Sequence, residues 1–165
     1  MPNVGPADHL TPGLNLPSIA LPSTAGGTVD PAALPGRSLL IVYPWTGRPG
    51  QPNPPNWDDI PSAHGSTPEL ERFRDRYADF VRLGLRLLGL SRQTTAHQWE
   101  LVDRLKLPFP ILSDASGRFA AALNLPAFTT GGETYLARLT LVSTAERSRE
   151  SFIPFPTPRV TPQIC

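Results

Sequence analysis

Cysteine is all but missing from this chain: the single one among 165 residues is Cys165, the last. No intramolecular disulfide can form, and no thiolate cluster can hold a metal. An excess of charge of either sign is missing too. Fifteen Lys and Arg against 14 Asp and Glu leave a formal charge of +1. With the basic residues dispersed, that offers no electrostatic grip on nucleic acid or on a membrane surface. No apolar run approaches the length of a membrane span, and the start lacks a basic segment followed by an apolar one. The expectation is a soluble, untargeted, cytoplasmic protein. The three histidines, His9, His64 and His97, show no ligand spacing and read as structural, so neither a metal nor a cofactor is expected.

Proline is abundant, at 21 residues beside 13 glycines. Much of both lies in the first 68 residues and the last dozen, which marks the ends and one long loop as irregular and the middle as ordered. The length suits one domain with a real core and is too short for two ordinary ones. Residues 1–13 read as an irregular N-terminal arm, 14–155 as the folded domain and 156–165 as an irregular tail.

Within the domain, the stretch from Leu14 to Pro22 alternates weakly and suits a short edge strand, followed by a turn at Gly26-Gly27. The apolar run Leu39 to Tyr43 reads as a strand buried on both faces. A loop from Pro44 to Gly65 follows, with Pro49, Pro52, Pro54, Pro55 and Pro61, and its Trp45 and Trp57 suggest that it packs on something. Leu70, Phe73, Tyr77, Phe80 and Val81 recur at steps of three and four and predict one helix over 67–83. Leu85 to Leu90 reads as a second core strand, and Thr94 to Leu105 as a second helix with Trp99 among its apolar residues. An extended segment from Leu107 to Leu112 leads to an N-cap signal at Ser113-Asp114. A short helix then spans Phe119 to Leu123 and ends near Asn124. Tyr135 to Ser143 alternates as one strand, and Ser151 to Phe155 suits another. Strands and helices in this order predict a three-layer α/β sandwich with a mixed central sheet flanked by helices.

Residues 61–75 carry the most chemistry. They close a loop onto a helix N-terminus, where free backbone N–H groups and the positive end of the macrodipole stabilise negative charge. Ser66-Thr67-Pro68-Glu69 also has the form of a capping box, with Ser66 as the cap and Glu69 reaching back to it. A Ser-His-Asp triad from Ser66 and His64 is disfavoured, since residues two apart seldom aim at each other. Trp45, Trp57 and Trp99 read as packing residues, and Cys165 as an exposed leftover rather than a resolving thiol for a partner chain.

Several phrases in order resemble the peroxiredoxin family of thioredoxin-like fold, in its bacterioferritin-comigratory-protein type. They are Leu21-Pro-Ser, Gly36-Arg-Ser38, Val42-Tyr-Pro44 with Thr46, Gly65-Ser66-Thr67-Pro68 with Phe73-Arg74-Asp75, Leu88-Gly-Leu-Ser91, Leu107 through Asp114, and Arg138-Leu-Thr-Leu. The resemblance implies a thiol-dependent peroxidase that reduces hydrogen peroxide or organic hydroperoxides. It implies a thiol reductant such as thioredoxin or a small thiol, and association as a homodimer.

By the same resemblance the peroxidatic cysteine falls on Ser66. Thr46 and Pro44 would hold the peroxide and shape its pocket, and Arg138 would steady the thiolate. A resolving cysteine would fall near Glu71. Two departures stand out. The family's compact Pro-x-x-x-Thr-x-x-Cys spacing is stretched to about 20 residues between Thr46 and position 66. Serine also cannot be drawn down to an anion as a thiol can, and it has no counterpart of the sulfenic acid. The chain is therefore expected to be an inactive serine form of such a peroxidase, by engineering or by nature. The alternative is a natural redoxin-fold protein without peroxidase activity that binds a partner or a small anionic ligand.

Overall fold

The computed structural model describes residues 16–60 and 63–144. The arm through residue 15, the segment 151–155, the tail, His9 and Cys165 lie outside the described residues. A four-stranded sheet carries the fold, in the order β5-β4-β3-β8. Strand β3 (Arg37–Val42) runs parallel to β4 (Leu85–Ser91), with Leu40 opposite Leu88. In turn β4 is parallel to β5 (Ile111–Ser113), while β8 (Leu139–Thr144) is antiparallel to β3. The sheet is mixed and of thioredoxin-like kind, as expected from the sequence.

Alternation along β3 builds two cores. Leu40 and Val42 face one side, where they meet Leu88, Leu90, Leu112 and the buried Phe119 and Leu123 of helix α4 (Arg118–Leu123). Leu39, Ile41 and Tyr43 face the other. There they pack on Leu70 of α1 (Ser66–Asp75) and on Leu101 and Leu105 of α3 (Thr95–Leu105). Each such side chain fully withdrawn from water contributes roughly 1.5–3 kcal/mol. Burial on both faces explains why β3 reads as an unbroken apolar run. Gly89 in β4 permits a close approach, because a Cβ there would meet Ile111 at 3.1 Å.

Caps end the helices where the sequence signals them. The Thr94 hydroxyl accepts from His97 N–H at 3.3 Å and starts α3. Asp114 starts α4 from a distance: its carboxylate accepts from the N–H groups of Phe119 and Ala120 at 3.0 and 2.9 Å. Asn124, with φ of 51°, ends it.

Several expectations need correction. The helix predicted over 67–83 is two, α1 and α2 (Tyr77–Arg82), with Arg76 out of helical geometry at φ −105° and ψ 11°. Phe73 and Phe80 still touch across that break, at 5.5 Å between ring centroids. A one-residue interruption preserves the face that periodicity detects. The strand predicted over Tyr135 to Ser143 is also two. Its first part belongs to a hairpin of β6 (Ala127–Thr130) and β7 (Glu133–Leu136), turned by Gly131 and Gly132 at φ of 59° and 82°. Ala137 and Arg138 then separate β7 from β8. The early edge strand shrinks to β1 (Leu21–Pro22), paired with β2 (Thr28–Val29) around the Gly26-Gly27 turn. Trp99 is 57% exposed rather than packed.

Candidate active site

The long proline-rich loop does pack on something. Trp57, Ile60, Ala63 and Phe128 form a third buried cluster, with Trp45 and Tyr135 against it. Trp45 meets Trp57 edge-on at 5.4 Å, and Trp57 meets Tyr135 at 5.1 Å. The β6–β7 hairpin therefore clamps the loop, which brings Thr46 and the start of α1 to one place.

Gly65 precedes that helix with φ of +100°, a backbone angle that favours glycine. No side chain caps α1, so the predicted capping box does not form. Ser66 is the first helical residue, 3% exposed, and both its partner and that of Glu69 is Arg138. Arg138 Nη2 donates to Ser66 Oγ at 3.1 Å and to the His64 carbonyl at 2.8 Å. Its Nη1 donates to Glu69 Oε1 at 2.6 Å. Arg138 lies in the break between β7 and β8. Because Ser66 Oγ accepts from the guanidinium, its own O–H is left to donate elsewhere.

A cavity of about 130 Å³ opens beside Ser66, lined by Thr46, Asn53, Trp57, Ala63 and His64 among others. Thr46 is 1% exposed and thoroughly pinned. Its N–H and its hydroxyl both donate to Gln93 Oε1 at 3.2 Å, and its carbonyl accepts from Gln93 Nε2 and His97 Nε2 at 2.9 Å. A carbonyl can only accept, so the Nε2 position of His97 carries the proton. With its proton committed to Gln93, the Thr46 hydroxyl can only accept from a guest. The cavity thus pairs a donor, Ser66, with an acceptor, Thr46.

Structure and expectation part company at Pro44, which lines a different cavity. Counting three residues back from Ser66 gives Ala63, buried at 1% exposure, where the compact motif would put threonine. Glu71, at the expected resolving position, is an α1 residue whose carboxylate lies 3.9 Å from Arg74. The His64 ring goes to the Asp58 carboxylate at 2.5 Å rather than to Ser66. Nothing local in the sequence distinguishes Gln93, and His97 reads there only as structural; the fold brings both to Thr46. Among the described residues no helix is long and apolar enough to cross a membrane.

Comparison with known proteins meets this geometry. The model of the AhpC/TSA family matches residues 60–146, more than half of the chain. The chain belongs to the AhpC/TSA family. The chloroplastic peroxiredoxin Q of Oryza sativa subsp. japonica is 29% identical over 125 residues, covering 73% of this chain and 51% of that protein. A peroxiredoxin of Aeropyrum pernix is 42% identical over 65 residues, covering 36% of this chain and 26% of its own length. The chain thus spans about half the length of the rice relative. Among solved structures, the bacterioferritin comigratory protein of Xanthomonas campestris, whose alkyl peroxide reduction activity has been described, superposes with a TM-score of 0.62. It is 21% identical, over 81% of each chain. The peroxidoxin BcpB of Mycobacterium tuberculosis gives 0.61 at 20% identity, covering 84% of this chain and 92% of its own. These neighbours share the thioredoxin-like peroxiredoxin fold.

Proposed function

We propose that this peroxiredoxin binds a hydroperoxide, or a small oxyanion of similar shape, at Ser66 and does not reduce it. It is an inactive serine form of a thiol-dependent peroxidase for hydrogen peroxide or organic hydroperoxides. The observation that carries this reading is the hydrogen bond between Arg138 and the buried Ser66 Oγ at the start of α1. A guanidinium and a helix N-terminus converge there, as an anionic sulfur would require. The donor at Ser66 and the acceptor at Thr46 suit a molecule that both accepts and donates, as a hydroperoxide does. A serine hydroxyl in the same place stays protonated and cannot be oxidised to a sulfenic acid.

A second reading makes the serine native, in a redoxin-fold protein that holds a partner or a small anion without turnover. It is favoured by the Glu69 ion pair, which holds the Arg138 guanidinium on Ser66 Oγ without a thiolate. Either reading leaves a thiol reductant, a homodimer and a cytoplasmic setting as proposals that rest on the family.

The test is to install Ser66→Cys and follow peroxide consumption with dithiothreitol as reductant. The variant should consume peroxide well above the serine form, and adding Arg138→Gln should lower kcat/KM. A cysteine form no faster than the serine form would remove the proposal.

A further inference from the structure

A second, larger cavity, of about 320 Å³, shares Trp45 with the first in its lining. Trp45, Arg92, His97, Glu133 and Tyr135 line it, with Thr94 at the start of α3. Five arginines among the described residues are half-buried: Arg48, Arg74, Arg92, Arg104 and Arg138. Four of them face a carboxylate, through Glu100, Asp75, Glu100 and Glu69 respectively. Arg92 alone of the five makes no ion pair among the described residues, although its Nε, like that of Arg48, is buried without a hydrogen-bond partner. Its guanidinium lines the cavity without a carboxylate to neutralise it, so the nitrogens that face the cavity can take an acceptor from outside.

The surroundings are shaped around it. The guanidinium lies on Gly117, where an added Cβ would stand 3.3 Å from Nη2 and 3.5 Å from Cζ. That glycine also has φ of +78°, so a side chain there is doubly disfavoured. Backbone next to Arg92 is fixed, since Gln93 is tied to Thr46 and its N–H donates to Ser91 Oγ at 3.3 Å. Indole and phenol rings supply apolar walls. Glu133 is exposed at the same cavity and would repel a second negative charge on the guest. The volume falls at the lower end of the range of roughly 300–1,000 Å³ that holds small molecules.

The geometry points to a second binding site, separate from Ser66, in which Arg92 takes the carboxylate of a small monoanion and Trp45 and Tyr135 cover its apolar or aromatic part. A planar carboxylate matches the fork of a guanidinium. A ring beside it would meet the indole face-on or edge-on. Glu133 selects against dianions such as phosphate.

The experiment is an amide and indole NMR titration of the full chain with benzoate, with benzamide and inorganic phosphate as comparison probes. Benzoate should bind saturably, shifting the signals of residues 92–97 and 133–135 and the indole N–H of Trp45. Benzamide has the same shape without the charge and should bind about tenfold more weakly or worse, as should benzoate to Arg92→Gln. Four results overturn the site: no saturable binding at millimolar benzoate, equal affinity for benzamide, phosphate bound more tightly than benzoate, or shifts confined to residues 63–68. The benzamide comparison needs no variant and stands even if Arg92→Gln fails to fold. None of these results bears on the Ser66→Cys peroxidase assay, so the two readings fail independently.

Discussion

Arg138 and Arg92 are both half-buried, and the protein holds them in opposite ways. Arg138 is committed: a carboxylate, a hydroxyl and a backbone carbonyl share its donors, and its side chain is 19% exposed. Arg92 lies over Gly117 at a cavity wall and has no ion pair among the described residues. The first arrangement is pre-organised for charge that develops on the residue at position 66. Its ion pair with Glu69 keeps the guanidinium in place without a guest. The second leaves the same chemical group waiting for charge brought from outside. What separates a positioning arginine from a binding arginine here is the presence of Glu69, not the burial of the guanidinium.

That contrast breaks most visibly in stability. Arg138→Leu would leave the Glu69 carboxylate, 17% exposed, without its cation, and Ser66 without its donor. Because the pair keeps some contact with water, the loss should be about 2 kcal/mol, below the figure for a fully buried pair. Urea midpoints at neutral pH would measure it. Arg92→Leu removes a charge with no ion pair among the described residues, and should lower the stability read from the same midpoint by less than about 0.5 kcal/mol or raise it. Equal losses in the two variants would erase the distinction.

A smaller effect sharpens it. Burial, and behind it the charge of Glu133, pushes the Tyr135 phenol above its ordinary pKa. The folded state therefore holds this proton more tightly than the unfolded chain does. The resulting stabilisation is intact below about pH 10 and is lost as pH rises through the folded pKa. Tyr135→Phe should flatten that alkaline decline in the urea midpoint; an unchanged slope would show that other groups cause it.

Much of this was legible in the sequence because it is written in period and punctuation. Both faces of β3, the start of α3 at Thr94 and the stop at Asn124 follow from local chemistry. The β6–β7 hairpin was legible too, in the Gly-Gly pair between Thr130 and Glu133, but the alternation from Tyr135 onward masked it. The break at Arg138 was not legible, because Pro126 sets it from afar: its carbonyl accepts from Ala137 N–H at 2.8 Å and closes the hairpin. Ser66 and Arg138 were singled out as a pair by family resemblance, which carries position without geometry. Arg92, Gln93 and His97 belong to no motif. Their roles arise from the loop being folded back by Trp57, a tertiary fact with no local signature.

An environment built for a sulfur anion at position 66 must draw down the pKa of a thiol placed there. The most direct measurement is the thiol pKa of Ser66→Cys in a Cys165→Ser background, followed by thiolate absorbance against pH. The expected value lies clearly below the ordinary thiol pKa of about 8.5 and moves back up when Arg138→Gln is added. A pKa at or above that ordinary value, unmoved by the second substitution, would contradict it.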